Sequence, residues 1–179
     1  MRILVIEDTE KHILAAQKQL VDHQVTICKT FREAERILAG ADIGCWYKED
    51  AEFPFDAVLT DLYLPLSLEG IPANPVVGRT DTGESITKPA IEAYGAQIPY
   101  AVVIALAATR RGKPVAIVTD GGHHSHPMNW ALDLVNTPRR LMLGITPFLM
   151  TDRGVCGFDD ELGYVKQWHK MLEILMKED

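Results

Sequence analysis

The stretch Arg2-Ile3-Leu4-Val5-Ile6-Glu7-Asp8 decides the fold, because it is an apolar run that ends in two acids. The stretch Phe55-Asp56-Ala57-Val58-Leu59-Thr60-Asp61 repeats the pattern of an apolar run followed by a carboxylate. Short, nearly continuous apolar runs are typical of strands that are buried on both faces of a parallel sheet. Functional groups of such sheets collect at the carboxyl ends of the strands. If the two strands are neighbours, Glu7, Asp8 and Asp61 converge at one edge.

Three carboxylates at one edge predict a bound cation. Like charges that lie close together repel each other, unless a cation neutralises them or a proton is shared. Carboxylate oxygens suit a hard divalent ion such as Mg²⁺, which commonly accompanies chemistry on phosphate. The alternative interpretation is that Glu7 and Asp8 only cap the first helix, where acids are common. The coincidence of this pair with Asp61 favours the cation site.

The order of the elements predicts a doubly wound α/β sheet. Helical periodicity and a capping-box sequence, Thr30-Phe31-Arg32-Glu33, predict the first two helices around a short strand. The predicted helices span about 10–22, from 30 to about 40, from about 83, 100–110, 128–135 and 160–176; the predicted strands span 2–6, 24–29, 55–60, 113–119 and 141–145. The closing helix is expected to bury Leu162, Val165, Trp168, Leu172 and Leu175 and to begin beside Asp159 and Asp160.

Composition limits the class of protein. The chain has 179 residues and 47% apolar content, which suits one domain over residues 1–179. Its net charge of −7 disfavours direct nucleic-acid binding. The three cysteines, Cys28, Cys45 and Cys156, have neither metal-ligand nor disulfide-framework spacing. The longest apolar run, Tyr100 to Ala108, is too short to span a membrane, and no secretion signal is visible. A cytoplasmic protein that does not bind membranes is expected.

At its acidic residues the chain resembles the response-regulator receiver domain of two-component signalling. Glu7-Asp8, Asp61 and Thr119 match the family's acidic pair, phosphorylated Asp and Ser/Thr, and Asp61-Leu62-Tyr63-Leu64-Pro65 resembles its Asp-x-x-Met-Pro run. The resemblance implies a flavodoxin-like (CheY-like) fold. In that fold a five-stranded parallel sheet has the order 2-1-3-4-5, with helices on both faces. Two stretches, about 41–54 and 64–82, are insertions relative to this pattern.

The resemblance also implies roles for individual residues. Asp61 would be the phosphoacceptor, and Asp8 and Asp61 would bind Mg²⁺ directly. Glu7 would help through water, and the Tyr63 backbone carbonyl would complete the protein ligands. Thr119 would be the switch residue that binds the phosphoryl group, although Thr is also simply favoured in strands.

The family's lysine, which lies at the end of the fifth strand just before a proline, is hard to place. In Ile145-Thr146-Pro147 the proline is present, but Thr146 takes the lysine position. Arg153 could reach back, and a different alignment with residues 148–150 as the strand would bring it closer. Lys88 and Lys113 are further basic candidates, but neither falls at a fifth-strand end.

Three segments leave alternatives open. His123, His124 and His126 could hold a transition metal, although polar loop histidines are the default. The segment 41–54 is a surface excursion or a partner-binding loop. The segment 64–82 leaves directly from Asp61 and could be a lid or a docking surface.

We therefore expect a stand-alone, atypical receiver rather than an enzyme, with at most self-dephosphorylation. It would accept a phosphoryl group from a histidine kinase or a phosphotransfer protein and signal through contact with a downstream protein. A pseudo-receiver, with the same fold but no phosphorylation, is favoured by the absent lysine and by the insertions. A metal-dependent phosphohydrolase is a third possibility, but it lacks any second motif.

Overall fold

The computed structural model describes residues 1–39, 53–64, 76–79, 82, 85–87, 99–119, 141–151 and 155–177. The elements within these ranges, in chain order, are β1 (Arg2–Ile6), α1 (Glu10–Gln19), β2 (Gln24–Cys28), α2 (Phe31–Ala39), β3 (Ala57–Asp61), β4 (Val76–Arg79), β5 (Ser85–Thr87), α3 (Ala101–Thr109), β6 (Val115–Val118), β7 (Leu141–Leu143), β8 (Thr146–Thr151), β9 (Cys156–Asp159), β10 (Gly163–Lys166) and α4 (Trp168–Met176).

The central sheet has six strands in the order β2-β1-β3-β6-β8-β7. The first five are parallel to one another, and β7 pairs antiparallel with β8. The α/β class is confirmed. The predicted five-stranded sheet was wrong in strand number and in overall order, because the edge strand β7 is added beyond β8. Ranked among themselves, the five parallel strands lie in the order second, first, third, fourth, fifth.

Helices cover both faces of this sheet, as predicted. Alternate residues of a strand point to opposite faces, so each central strand contributes to two separate cores. One core packs α2 and α3 against side chains that include Leu4, Val58 and Ile117. The other packs α1 and α4 against Ile3, Val5, Leu59 and neighbouring side chains. Because both faces are covered, the strand ends are the places where polar side chains can collect.

The starts of the first two helices differ in how they are capped. At the start of α2 the Glu33 N–H donates to Thr30 Oγ1 over 3.2 Å, as the capping-box prediction requires. The Glu33 carboxylate reaches back to the Lys29 N–H instead of the Thr30 N–H. At the start of α1 the N-cap is Thr9, whose side chain makes no cap hydrogen bond. Helix α1 ends at Gln19, which is three residues short of the predicted end.

The fifth parallel strand was predicted over residues 141–145, and this prediction was wrong. Leu141–Leu143 is the antiparallel edge strand β7, and Thr146–Thr151 is the strand that continues the parallel sheet. The two form a hairpin with Gly144 and Ile145 as its loop, and Gly144 has a φ of 65°. A glycine at the first loop position of a two-residue hairpin permits this positive φ. The alternative alignment, with residues 148–150 in the strand, is therefore correct.

The predicted closing helix over 160–176 was also wrong in its first half. Residues 156–166 form the antiparallel hairpin β9–β10, and α4 begins only at Trp168. Asp159 Oδ1 accepts the N–H groups of Glu161 and Leu162, and Gly163 has a φ of 74°, so both residues shape the turn. Asp159 and Asp160 accordingly belong to the hairpin and not to a helix start. The residues predicted to face the core do so, since Val165, Trp168, Leu172 and Leu175 are buried and Leu162 packs against them.

Only parts of the two predicted insertions fall within the described residues. Phe53, at the end of the first, is buried in the core under α2 and α3. Val76–Arg79 and Ser85–Thr87 form a small antiparallel pair, so the helix predicted to begin near Ser85 was wrong there. The remainder of both insertions, the helix predicted over 128–135 and the segment with His123, His124 and His126 lie outside the described residues.

Candidate functional site

The three predicted acids meet at the carboxyl edge of the sheet. Ile6 pairs with Thr60 in neighbouring parallel strands. The next residues, Glu7 and Asp61, therefore lie side by side at the carboxyl ends of these strands. One carboxylate oxygen from each of Glu7, Asp8 and Asp61 lies within 4.8 Å of the other two. Glu7 and Asp61 are buried, and Asp8 is half-buried. The predicted convergence of the acids is confirmed.

Lys166 is the fourth charged residue of this site, and the sequence analysis missed it. Its ammonium Nζ lies 2.5 Å from Glu7 Oε2 and 2.6 Å from Asp61 Oδ1. The lysine side chain is 1% exposed, so water screens these two ion pairs little. A single buried ammonium thus bridges the ends of β1 and β3.

The lysine reaches the site from an element that the sequence analysis did not identify. Lys166 is the last residue of β10, and its strand neighbour Val165 is buried in the core beside α1 and α4. Adjacent strand residues point to opposite sides, so burial of Val165 directs Lys166 the other way. The available signal was Gly163, which interrupts the helical period and is followed by the strand-like sequence Tyr164-Val165-Lys166.

Among the described residues, two other candidates for the basic position, Thr146 and Lys113, lie away from the site. Thr146 is the first residue of the parallel strand β8, so it lies at the opposite edge of the sheet, where its hydroxyl donates to the Thr109 carbonyl oxygen. Lys113 precedes β6 and lies at that same opposite edge, because β6 is parallel to β8. Lys88 and Arg153 lie outside the described residues.

Glu7 is held by two partners. Its Oε1 accepts the Thr9 N–H over 2.9 Å, while its Oε2 faces Lys166. The first contact is the helix-cap role of the alternative interpretation, and the second shows that the residue does more than cap. Because each Glu7 oxygen already has a protein partner, contact with a cation through water suits it better than direct ligation.

Asp8 lies in an unfavourable charge environment. Burial raises its pKa above the ordinary value of 3.8, and the nearby charge of Glu7 raises it further. A backbone hydrogen bond, the charge of Lys166 and the hydroxyl of Thr9, whose Oγ1 lies 3.4 Å from Asp8 Oδ1, lower the pKa in part. A carboxylate whose pKa is raised by a like charge is stabilised when a cation binds beside it.

Lys166 is held in its charged form. Burial lowers its pKa, but the charges of Asp61 and Glu7 and its hydrogen bonds to them more than compensate, so the net shift is upward. Among the described residues, three carboxylates and one ammonium together leave two negative charges at the site when all are ionised. This residual charge matches a divalent cation.

The donor set and its spacing also fit Mg²⁺. Each Mg²⁺ ligand oxygen lies about 2.1 Å from the ion, so neighbouring ligands are about 3 Å apart. The carboxylate oxygens of Glu7, Asp8 and Asp61 lie within 4.8 Å of one another, close enough for a single ion to be shared between them. Asp8 and Asp61 are the residues that would hold the ion, which takes only one or two carboxylates and keeps several waters.

Thr119 and Tyr63 flank Asp61. Val118 pairs with Asp61, so Thr119 lies one residue beyond the ladder at the same edge. Thr119 is buried, and its N–H donates to the Thr151 carbonyl oxygen over 3.2 Å. Tyr63 is buried in the core under α2 and α3. Burial, and then the charge of Asp61, raise the pKa of its phenol.

Comparison with known proteins assigns no relative to this chain. No family model, curated protein or solved structure matches it. Within the ranges that the structure describes, every helix is too short or too polar to cross a membrane. The geometry of the site is therefore the basis for assigning a function.

Proposed function

We propose that this protein is an atypical response-regulator receiver with a flavodoxin-like fold, and that Asp61 accepts a phosphoryl group in a Mg²⁺-dependent reaction. One observation carries the proposal: the Lys166 ammonium lies 2.6 Å from Asp61 in an acidic cluster that also contains Glu7 and Asp8. A nucleophilic carboxylate, two metal-binding acids and a lysine beside the nucleophile are the groups that phosphoryl transfer to Asp requires.

The proposed step is a displacement at phosphorus. A carboxylate oxygen of Asp61 forms a bond to the phosphorus, while the bond from phosphorus to the donor breaks and the donor leaves with the electron pair. Mg²⁺, when it is bound, neutralises charge on the phosphoryl oxygens. Lys166 supplies a fixed positive charge at Asp61, and Thr119 supplies a hydroxyl at the same edge. Burial of the site strengthens these electrostatic contributions, because they act in a medium of low dielectric.

The same charges suggest how phosphorylation becomes a signal. A phosphoryl group on Asp61 adds negative charge and acceptor oxygens beside Lys166 and Thr119. Their response would alter the loops that follow β3 and β6 and the hairpin that carries Lys166. A histidine kinase or phosphotransfer protein would be the donor, and a downstream protein would recognise the altered surface.

The site also favours a second candidate, a pseudo-receiver that binds partners without phosphorylation. Lys166 neutralises part of the charge of Glu7 and Asp61, so the acids are not left unpaired without a metal. Asp8 argues against this candidate, because the described residues, with Lys166 included, leave two negative charges that a cation would offset.

Intact mass after incubation with acetyl phosphate tests the proposal. The wild-type chain should gain one phosphoryl group in the presence of Mg²⁺ and none in EDTA, and Asp61→Asn should gain none. Asp56→Asn is the matched control, because Asp56 precedes the same strand at its opposite end and its side chain is 40% exposed. This control should be phosphorylated like the wild type.

The two candidates predict different results. Mg²⁺-dependent labelling of the wild type and of Asp56→Asn, but not of Asp61→Asn, would support the receiver. Labelling that persists in Asp61→Asn would refute Asp61 as the acceptor. A folded wild-type chain that takes no phosphoryl group from acetyl phosphate, phosphoramidate or a panel of histidine kinases would favour the pseudo-receiver.

A further inference from the structure

The strand that carries Lys166 has one edge covered by side chains of α1. In an antiparallel pair of strands, every second residue points both its N–H and its C=O away from the partner strand. Tyr164 and Lys166 are two residues apart in β10. Three side chains of α1 contact the main-chain groups of these two residues. They are Lys11, His12 and Gln19.

Lys166 itself is held at both of its main-chain groups. Its N–H donates to His12 Nδ1 over 3.4 Å, and its carbonyl oxygen accepts from Gln19 Nε2 over 3.2 Å. His12 and Gln19 are seven residues apart, which places them on one face of the helix two turns apart. The Lys11 ammonium donates to the carbonyl oxygen of Tyr164, two residues before Lys166 in the strand.

His12 makes the most extensive contact of this group. It is fully buried, and its carbonyl oxygen accepts the Trp168 indole N–H over 2.9 Å. One residue thus binds the chain at position 166 through its ring and at position 168 through its backbone. Buried polar groups need such partners, because a donor or acceptor that is buried without one destabilises the fold.

The covered edge sets where the lysine ammonium lies. Helix α1 begins shortly after Glu7 and Asp8, so its position is tied to the acids. A shift of β10 along α1 by one residue would point Lys166 to the other side of the hairpin. The contacts from α1 oppose this shift, because each of them is specific to one main-chain group.

We infer that His12, assisted by Gln19, is a positioning residue that holds the Lys166 ammonium against Asp61 and Glu7. The predicted effect of His12 on phosphoryl transfer rests on the proposed function. The placement of Lys166 itself can be tested without any phosphoryl donor. His12 acts through the Lys166 backbone and is not a catalytic residue.

Reductive methylation of lysines, read by peptide mass spectrometry, reports how well Lys166 is protected. Lys113, at the opposite edge of the sheet and partly exposed, is the internal reference for the reactivity of the reagent. We expect His12→Leu to raise the methylation rate of Lys166 relative to Lys113 by about fivefold or more, the effect of losing a hydrogen bond. His12→Asn retains an acceptor near the Nδ1 position and should restore most of the protection. Gln19→Leu is a milder variant that keeps the buried histidine in place.

Unchanged protection of Lys166 in both His12→Leu and Gln19→Leu would overturn the inference. Equal loss in His12→Asn and His12→Leu would show that the ring acceptor is not what holds the lysine. If His12→Leu does not fold, Gln19→Leu and His12→Asn decide the question.

A double-mutant cycle connects the placement to function. If His12 acts through Lys166, His12→Leu should slow phosphoryl transfer in the wild-type background but not further in Lys166→Met. Independent, additive losses would contradict the positioning role. Absence of any transfer in the wild type would refute the proposed function, while the methylation result would still decide the positioning role.

Discussion

The two ends of the β1–β3 strand pair carry the same kinds of charge in opposite settings. At the amino end the Arg2 guanidinium lies 3.7 Å from Asp56 Oδ1, and the side chains are 47% and 40% exposed. At the carboxyl end the Lys166 ammonium lies between Glu7 and Asp61, and all three side chains are nearly inaccessible to water. The two ends therefore have ion pairs of the same signs but differ in how far their side chains are buried.

Burial makes the carboxyl-end ion pairs strongly interdependent. Water screens the exposed pair, so an exposed pair of this kind contributes little to stability. In the buried triad each charge depends on the others, because removal of one partner leaves an uncompensated charge away from water. A buried set of this kind can respond to an added metal or phosphoryl group, since the new charge changes every interaction within it.

The largest expected effect is that of Lys166→Met. This change removes the ammonium and leaves Glu7 and Asp61 buried without their partner, so the free energy of unfolding should fall by about 3–5 kcal/mol in EDTA. Urea denaturation followed by circular dichroism measures it. The matched control is Arg2→Met at the exposed end, which should leave the unfolding midpoint essentially unchanged.

Addition of Mg²⁺ sharpens this test. The ion should restore part of the stability of Lys166→Met, by about 2.7 kcal/mol at a concentration one hundred times its dissociation constant. Equal effects of Lys166→Met and Arg2→Met in EDTA would contradict the difference between the two ends.

The acids of the site were predictable because Glu7 and Asp8 directly follow β1 and Asp61 is the last residue of β3. An apolar run followed by a carboxylate is a local signal, and parallel neighbours bring such ends together. The register of Ile6 with Thr60 confirms that step for Glu7 and Asp61. The buried strand residues divide between the two faces of the sheet because successive side chains of a strand point to opposite sides.

Lys166 was not predictable by that reasoning, because its position depends on tertiary contacts. Val165, Trp168, Leu172 and Leu175 have the spacing of a helix, although the first of them lies in a strand. The hairpin β9–β10 depends on the turn at Gly163 and on the side chains of α1 that cover β10. The receiver resemblance also places the lysine next to a proline, which indicated Thr146, at the wrong edge of the sheet.

A smaller effect is expected for Asp8→Asn, the acid that has no counterpart at the exposed end. Because burial and the charge of Glu7 raise the pKa of Asp8, its ionised form is less favourable in the folded protein than in the unfolded chain. That destabilisation develops as the pH rises above 3.8. Asp8→Asn should therefore stabilise the protein at neutral pH in EDTA, on the order of 1 kcal/mol. Urea denaturation measures the change.

The same variant should weaken the response to Mg²⁺. A metal that uses Asp8 as a ligand stabilises the wild type, so the Mg²⁺-dependent rise in the unfolding midpoint should largely disappear in Asp8→Asn. Loss of stability in EDTA, or an unchanged response to Mg²⁺, would argue against the unfavourable charge environment and the ligand role, respectively.

The smallest expected effect concerns Asp56 at the exposed end. Its pKa is lowered from 3.8, first by the hydrogen bond from the Arg2 N–H to Oδ2 over 2.7 Å and, more weakly, by the guanidinium charge. The resulting stabilisation is present above pH 3.8 and is lost as the pH falls through the folded-state pKa. Arg2→Met keeps the backbone N–H, so the Asp56 pKa, followed by NMR titration, should stay below 3.8 in this variant. A return to 3.8 would mean that the exposed charge, rather than the backbone hydrogen bond, controls this carboxylate. A neighbouring charge would then control the carboxylate at the exposed end as well as the carboxylates at the buried end, despite their different burial.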